Sequence, residues 1–184
     1  MTDDVKKRLD VVLVAGGKYH DIDFARLELL KLLAEDDRIR TRVYEDYSNL
    51  HAISNADFLI TYTCDVRPTL EQQKVLRDFV ANGKRWLALH GTNSILQFLS
   101  DGRVDCPRVA PIFMETLGSQ FLSHPPIEPY TVTVADGDHH LVEGVEPFET
   151  NDELYLMETH GELHVLLETE FEGNTPGFVE ENWE

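Results

Sequence analysis

Residues 9–15, LDVVLVA, form an unbroken apolar run rich in β-branched side chains, and it stops at Gly16-Gly17. A strand with one wet face alternates apolar and polar residues; a run that is apolar throughout belongs to a strand buried on both faces. Such strands occur in parallel sheets, and every parallel return needs a crossover. Ile22, Ala25, Leu29, Leu32 and Leu33 recur at helical spacing, with Leu27 and Leu30 widening the stripe, and predict an amphipathic helix over 22–35. Arg40–Tyr44 and Asp57–Thr63 read as the next two strands, the second broken by Cys64, Asp65 and Pro68. Thr69 and Gln72 carry a capping-box signature for a helix whose buried face is Val75, Leu76, Phe79 and Val80, with Asn82-Gly83 as its stop. Arg85–Leu89 is then a fourth strand. The alternation predicts an α/β fold, a mostly parallel sheet with helices on both sides.

Beyond His90 the rhythm changes. A polar, proline-bearing stretch runs from Ser100 to Pro111, followed by a short helical piece, IFMETLG, and the turn SQFLSHPP. Tyr130–Val134, Leu154–Met157 and Leu163–Leu167 read as further strands. At 184 residues and 42% hydrophobic content the chain suits a single domain over 1–184. No apolar run reaches the roughly 18 residues of a membrane span, and MTDDVKKRLD lacks a signal-peptide core, so a cytoplasmic protein is expected. Cys64 and Cys106 are too few for a disulfide framework, and reduced thiols are expected.

Charge narrows the range of partners. All 16 Lys and Arg fall at or before Arg108, against 17 acids in the same stretch, and residues 109–184 hold the other 17 acids with no Lys or Arg. Phosphate binding rests on Lys and Arg, so nucleic acid is excluded as a partner of that half. A neutral or cationic small molecule fits better, and a solvated acidic face that keeps the protein soluble explains the charge equally well.

In an open parallel sheet, ligands bind beyond the carboxyl ends of the strands. Those ends carry Gly16-Gly17-Lys18-Tyr19-His20, Thr63-Cys64-Asp65 and His90-Gly91-Thr92. Ala88-Leu89-His90-Gly91-Thr92 has the outline of a nucleophile elbow, with histidine where Ser or Cys would stand. Acyl-enzyme chemistry cannot start there in the usual way, but a histidine can move protons near neutral pH or ligate a metal. Cys64 shows no elbow around it and reads as a small core residue.

GGKYH (16–20), LALHG (87–91), LGSQFLSHP (117–125), DGDHHLVEGVEPF (136–148) and NDELYLME (151–158) occur in order. The sequence thereby resembles the trehalose-utilisation (ThuA-like) family, related to class I glutamine amidotransferases. The resemblance implies a flavodoxin-like three-layer fold and a role in disaccharide or keto-sugar metabolism. Carried over, it implies His90, His124 and Glu153 as catalytic residues, and Gly17, His20, Gly91, His139, Asp152 and Tyr155 as substrate-binding ones. Ser119 stands where a second glycine is usual, and His140 where a proline commonly follows the histidine. The family usually continues into a last strand and a Gly-His motif, whereas this sequence stops at Glu184, so either it is truncated there or the final element is missing, and a histidine of the usual site with it.

Enolising a keto-sugar takes a base beside the carbonyl and an acid at its oxygen. His90 as base, with His124 or Glu153 as acid, is the reading this supports. No compact ligand motif such as HExxH is present, so no cofactor or metal is assigned, while a divalent ion stays open as a variant. The rival is a sugar-binding or scaffold module that kept an amidotransferase-like shell without its nucleophile. Glutamine amidotransfer is excluded by the absence of a Cys at the elbow. The partner expected is a small-molecule sugar, with neither nucleic acid nor membrane, and a homo-oligomer stays open.

Overall fold

A computed structural model describes residues 7–183. The chain divides into two compact units: residues up to Ile95 with Pro107–Leu117, and Leu96–Cys106 with the residues from Gly118 on.

The first unit is built on the strands β1 (Leu9–Gly17), β2 (Ile39–Tyr44), β3 (Phe58–Cys64) and β4 (Arg85–Leu89), all parallel, in the order β2-β1-β3-β4. Leu13 pairs with Val43 on one side and Ile60 on the other, which places the apolar run of β1 at the centre of the sheet. Alternation splits that run between two cores. Val11, Leu13 and Ala15 pack with Ile60 and Leu33 under the helix α1 (Ile22–Leu33). Val12, Val14 and Leu59 face the opposite side, where Ile53, Leu76, Phe79, Phe113 and Met114 come from the helices α2 (Leu50–Asn55), α3 (Leu70–Ala81) and α4 (Pro111–Leu117). Helix, sheet, helix is the flavodoxin-like three-layer arrangement expected.

Local chemistry sets the helix limits. Asp21 caps α1 by accepting from the Phe24 N–H at 2.9 Å, and the Thr69–Gln72 capping box starts α3 as predicted. Gly83, at φ 78°, ends α3. Three details depart from the expectation. Helix α1 stops at Leu33, and Leu27 and Leu32 face solvent, so its apolar stripe is narrower than the sequence suggests. In α3, Val80 is exposed and Gln73 is buried in its place, its amide donating to the Pro68 carbonyl at 3.1 Å. Helix α2 was not predicted: at six residues it is too short to show a period, yet the β2-to-β3 return passes through it, started by Asn49 accepting from the Ala52 N–H at 3.0 Å.

The polar residues of β3 form a buried network. The Trp86 indole donates to Thr61 Oγ1 at 2.9 Å, Thr61 Oγ1 lies 3.1 Å from Thr92 Oγ1, and Tyr47 Oη lies 3.1 Å from Thr63 Oγ1. Burial pushes the Tyr47 phenol well above its ordinary titration range, so it stays neutral. Buried hydroxyls are generally hydrogen-bonded, and here the bonds tie β3 to β4, to the turn after β4 and to the segment before α2.

The second unit is antiparallel. β5 (Gln97–Phe98) pairs with β6 (Val104–Asp105). β7 (Ser119–Ser123) pairs with β10 (Leu156–Thr159), and β8 (Glu128–Val134) lies between β9 (Phe148–Asp152) and β11 (Leu167–Glu168). The strand expected over Leu163–Leu167 shrinks to Leu167–Glu168, with Leu163 and Val165 exposed. The strand expected from Leu154 begins at Leu156. Cys106 and Cys64 are both buried, and Cys106 donates to the Leu122 carbonyl at 3.2 Å. Among the described residues no helix is long and apolar enough to cross a membrane.

Candidate functional site

The carboxyl ends of β1, β3 and β4 share one rim of the first unit, and each carries a non-glycine residue with positive φ: Tyr19 at 69°, Asp65 at 53° and His90 at 47°. A left-handed backbone at such residues costs about 1–3 kcal/mol each and persists only where the surroundings fix it. At this rim they do. Lys18 N–H donates to the Cys64 carbonyl at 3.0 Å, and Asp65 N–H donates to the Ser94 carbonyl at 2.9 Å. The Asp65 carboxylate, its side chain only 4% exposed, accepts from Lys18 Nζ at 2.7 Å and Arg67 Nε at 3.3 Å. That hydrogen bond, with the charge of Asp65, raises the Lys18 ammonium above its ordinary value. Asp65 thus ties the loop before His20 to the turn that carries His90.

His90 begins a 3-10 turn, His90–Asn93, directly after β4. Thr92 pins that turn by donating to the Leu89 carbonyl at 2.8 Å. Gly91 is required by close approach: a Cβ there would lie 2.9 Å from the Thr63 carbonyl oxygen, 3.0 Å from Cys64 Cβ and 3.2 Å from His20 Nε2. Strand, left-handed residue, small residue and tight turn reproduce the elbow outline read in the sequence, with an imidazole at its apex. The His20 and His90 rings lie 4.5 Å apart between centroids, and Tyr62 stacks on His90 at 5.9 Å with planes 19° apart. His20, His90, Gly17 and Gly91, four of the residues expected in the site, therefore gather at one rim. Tyr62 was missed. Its position two residues before Cys64 in DFLITYT places it near the strand's carboxyl end, and that was the available signal.

The second unit holds the other expected group. His124 Nδ1 lies 2.7 Å from the Pro125 carbonyl, which can only accept, so Nδ1 carries the hydrogen. Its Nε2 then faces Glu153 Oε1 at 3.8 Å, both side chains about one-quarter exposed. Phe178 stands edge-on to His124 at 4.9 Å, and the buried Phe121 lies 4.3 Å from Tyr155. Phe121 and Phe178 were not anticipated, since each reads in sequence as an ordinary apolar residue. Asp152, at the end of β9, is exposed and accepts from the Glu153 N–H at 2.8 Å, fixing the start of that turn. His139 belongs to a different group. Its ring packs against His140 at 4.6 Å and His164 at 5.0 Å, and its Nδ1 accepts from the Leu141 N–H at 3.2 Å.

Several carboxylates titrate below their ordinary value of 3.8. The Asp10 N–H, then Lys7, lowers Asp57; His164, then the Asp138 N–H, lowers Asp136; Arg103 lowers Asp101; and Ser48 lowers Asp46. A depressed folded-state value contributes stability that is complete above the unfolded value and is lost as pH falls through the folded one. Melting temperature is therefore expected to hold from pH 7 to about 5 and to drop progressively below pH 4, as followed by circular dichroism. Asp57→Asn should flatten part of that acid limb. An unchanged limb would remove Asp57 from this role.

The chain matches the model of the family described as trehalose utilisation (ThuA) over residues 10–182. Solved structures of similar fold include a ThuA-like protein of Bacteroides uniformis, 17% identical, with TM-score 0.68, covering 89% of this chain and 69% of that one. A second ThuA-like protein, from Parabacteroides merdae, is 16% identical, with TM-score 0.60, covering 89% of this chain and 68% of that one. At such identities the likeness concerns the fold. No curated protein resembles the chain closely enough to count as a match. With the family's pattern running through nearly all of the sequence, and its GGKYH and LALHG segments meeting at one strand rim, the chain belongs to the trehalose-utilisation (ThuA) family.

Proposed function

We propose that the protein acts on a sugar or keto-sugar by acid/base chemistry, with His90 as base and His124 or Glu153 as acid. The observation that carries the reading is His90 itself, held at φ 47° at a strand end beside His20. A neutral imidazole can take the proton from a carbon next to a carbonyl, and an acid that protonates the carbonyl oxygen keeps charge from accumulating on the enediol. His124, with its Nδ1 hydrogen given to Pro125, has Nε2 left for proton exchange, and Glu153 lies next to it. Phe178, half-buried and edge-on to His124, and half-buried Tyr155 suit the apolar C–H face of a pyranose.

Those same rings favour a second reading, a sugar-binding module without turnover. A panel of disaccharides and their keto derivatives, measured both for binding and for product, separates the two. Consumption of a keto-sugar supports the enzyme; tight binding with no product under any condition supports the module.

A further inference from the structure

We infer that His20 and His90 form a binding site for one divalent first-row transition-metal ion of the zinc or nickel class. The two imidazoles come from different strand ends and each turns a ring nitrogen to within 4.8 Å of the other's. Zinc–nitrogen bonds of about 2.0–2.1 Å put two donors on a tetrahedral ion about 3.4 Å apart, so a modest ring rotation closes the site. Both histidines are half-buried, and their backbones are fixed by the rim contacts already described, which limits the ordering cost of binding. Gly91 leaves the His20 ring room to turn, because a Cβ there would lie 3.2 Å from His20 Nε2.

Imidazole donors select borderline ions such as Zn2+, Ni2+ and Cu2+, whereas Mg2+ and Ca2+ require oxygen. The ion uses the same His90 lone pair that a general base uses, so binding and proton abstraction by His90 exclude one another. The binding itself is independent of the proposed function; the inhibition it entails rests on that reading.

Calorimetric titration of tag-free protein with ZnCl2 and NiCl2 tests the site. One ion per chain is expected, with affinity lowered about tenfold or more in His20→Ala, His20→Gln and His90→Asn. The His140→Ala/His164→Ala variant should bind as the parent does, and MgCl2 should give no binding heat. Circular dichroism melting checks that each variant is folded. No binding by the parent protein overturns the site, as does affinity that is unchanged in His20→Gln or lost in His140→Ala/His164→Ala. Excess Zn2+ should suppress keto-sugar consumption. A rise in consumption would instead overturn the role of His90 as base while leaving the site in place.

Discussion

Replacing Gly17 by alanine is expected to lower stability by about 3–5 kcal/mol, because two separate penalties fall on one residue. Gly17 has φ 109°, a conformation that a Cβ makes costly, and the added Cβ would stand 2.0 Å from the Cys64 carbonyl oxygen. That carbonyl is backbone and already accepts from the Lys18 N–H at 3.0 Å, so it has no flexible end to move aside. Gly17 also pairs with Cys64 in the β1–β3 register, and the clash would part the two central strands where they deliver His20. For a chain of this length the expected fall in melting temperature is about 10 °C. Gly83→Ala provides the control: its φ of 78° carries the same kind of backbone penalty, but nothing lies within 4 Å of its Cβ. It should cost only about 1 kcal/mol. Equal losses in the two variants would show that close approach at the rim is not what fixes Gly17.

The second large effect concerns chemistry. His90→Asn is expected to reduce keto-sugar turnover by about 10²–10⁴-fold, the usual contribution of a positioned general base. Asparagine is the informative substitution because it tolerates the left-handed backbone that His90 adopts at φ 47°, whereas alanine would add strain. The loss should fall on kcat, with melting temperature little changed and the limb of the pH–rate profile due to the base removed. Unchanged turnover would take His90 out of the mechanism and return it to a structural role on the turn that Thr92 pins.

The strands of the first unit were legible because the physics behind them is local. Val11 to Ala15 is apolar at every position, and only a strand covered on both faces uses such a run. The Thr69–Gln72 box and Asn82-Gly83 mark helix ends by hydrogen bonds made within a few residues. Helix α2 was hidden by its length, although the rule that parallel strands need a crossover required something there. In α1, periodicity identifies the helix but not how wide a sheet it covers, so Leu27 and Leu32 remained ambiguous until packing was known. The second unit was harder to read. Its strands pair across long separations, such as β7 with β10 and β8 with β11, and short exposed strands like Leu167–Glu168 leave little pattern.

Within the site, His20 and His90 followed from the strand-end rule, and Gly91 from the elbow outline. Tyr62 and Asp65 did not, because their importance depends on which loops meet. Asp65 is a strand-end acid in sequence and becomes a buried node only when Lys18 and Arg67 converge on it. His124 and Glu153 were reached through the family resemblance. Their 3.8 Å separation is set by the FLSHP turn and the turn after β9, and neither turn reveals it from sequence.

Solvent exchange tests the central claim most directly. Wild-type protein incubated with a keto-sugar in D2O, followed by NMR, should place deuterium on the carbon beside the carbonyl, and His90→Asn should abolish that incorporation. Tight binding of the keto-sugar by wild-type protein, with no deuterium entering at any pH between about 5 and 9, would contradict proton abstraction and establish the protein as a binding module.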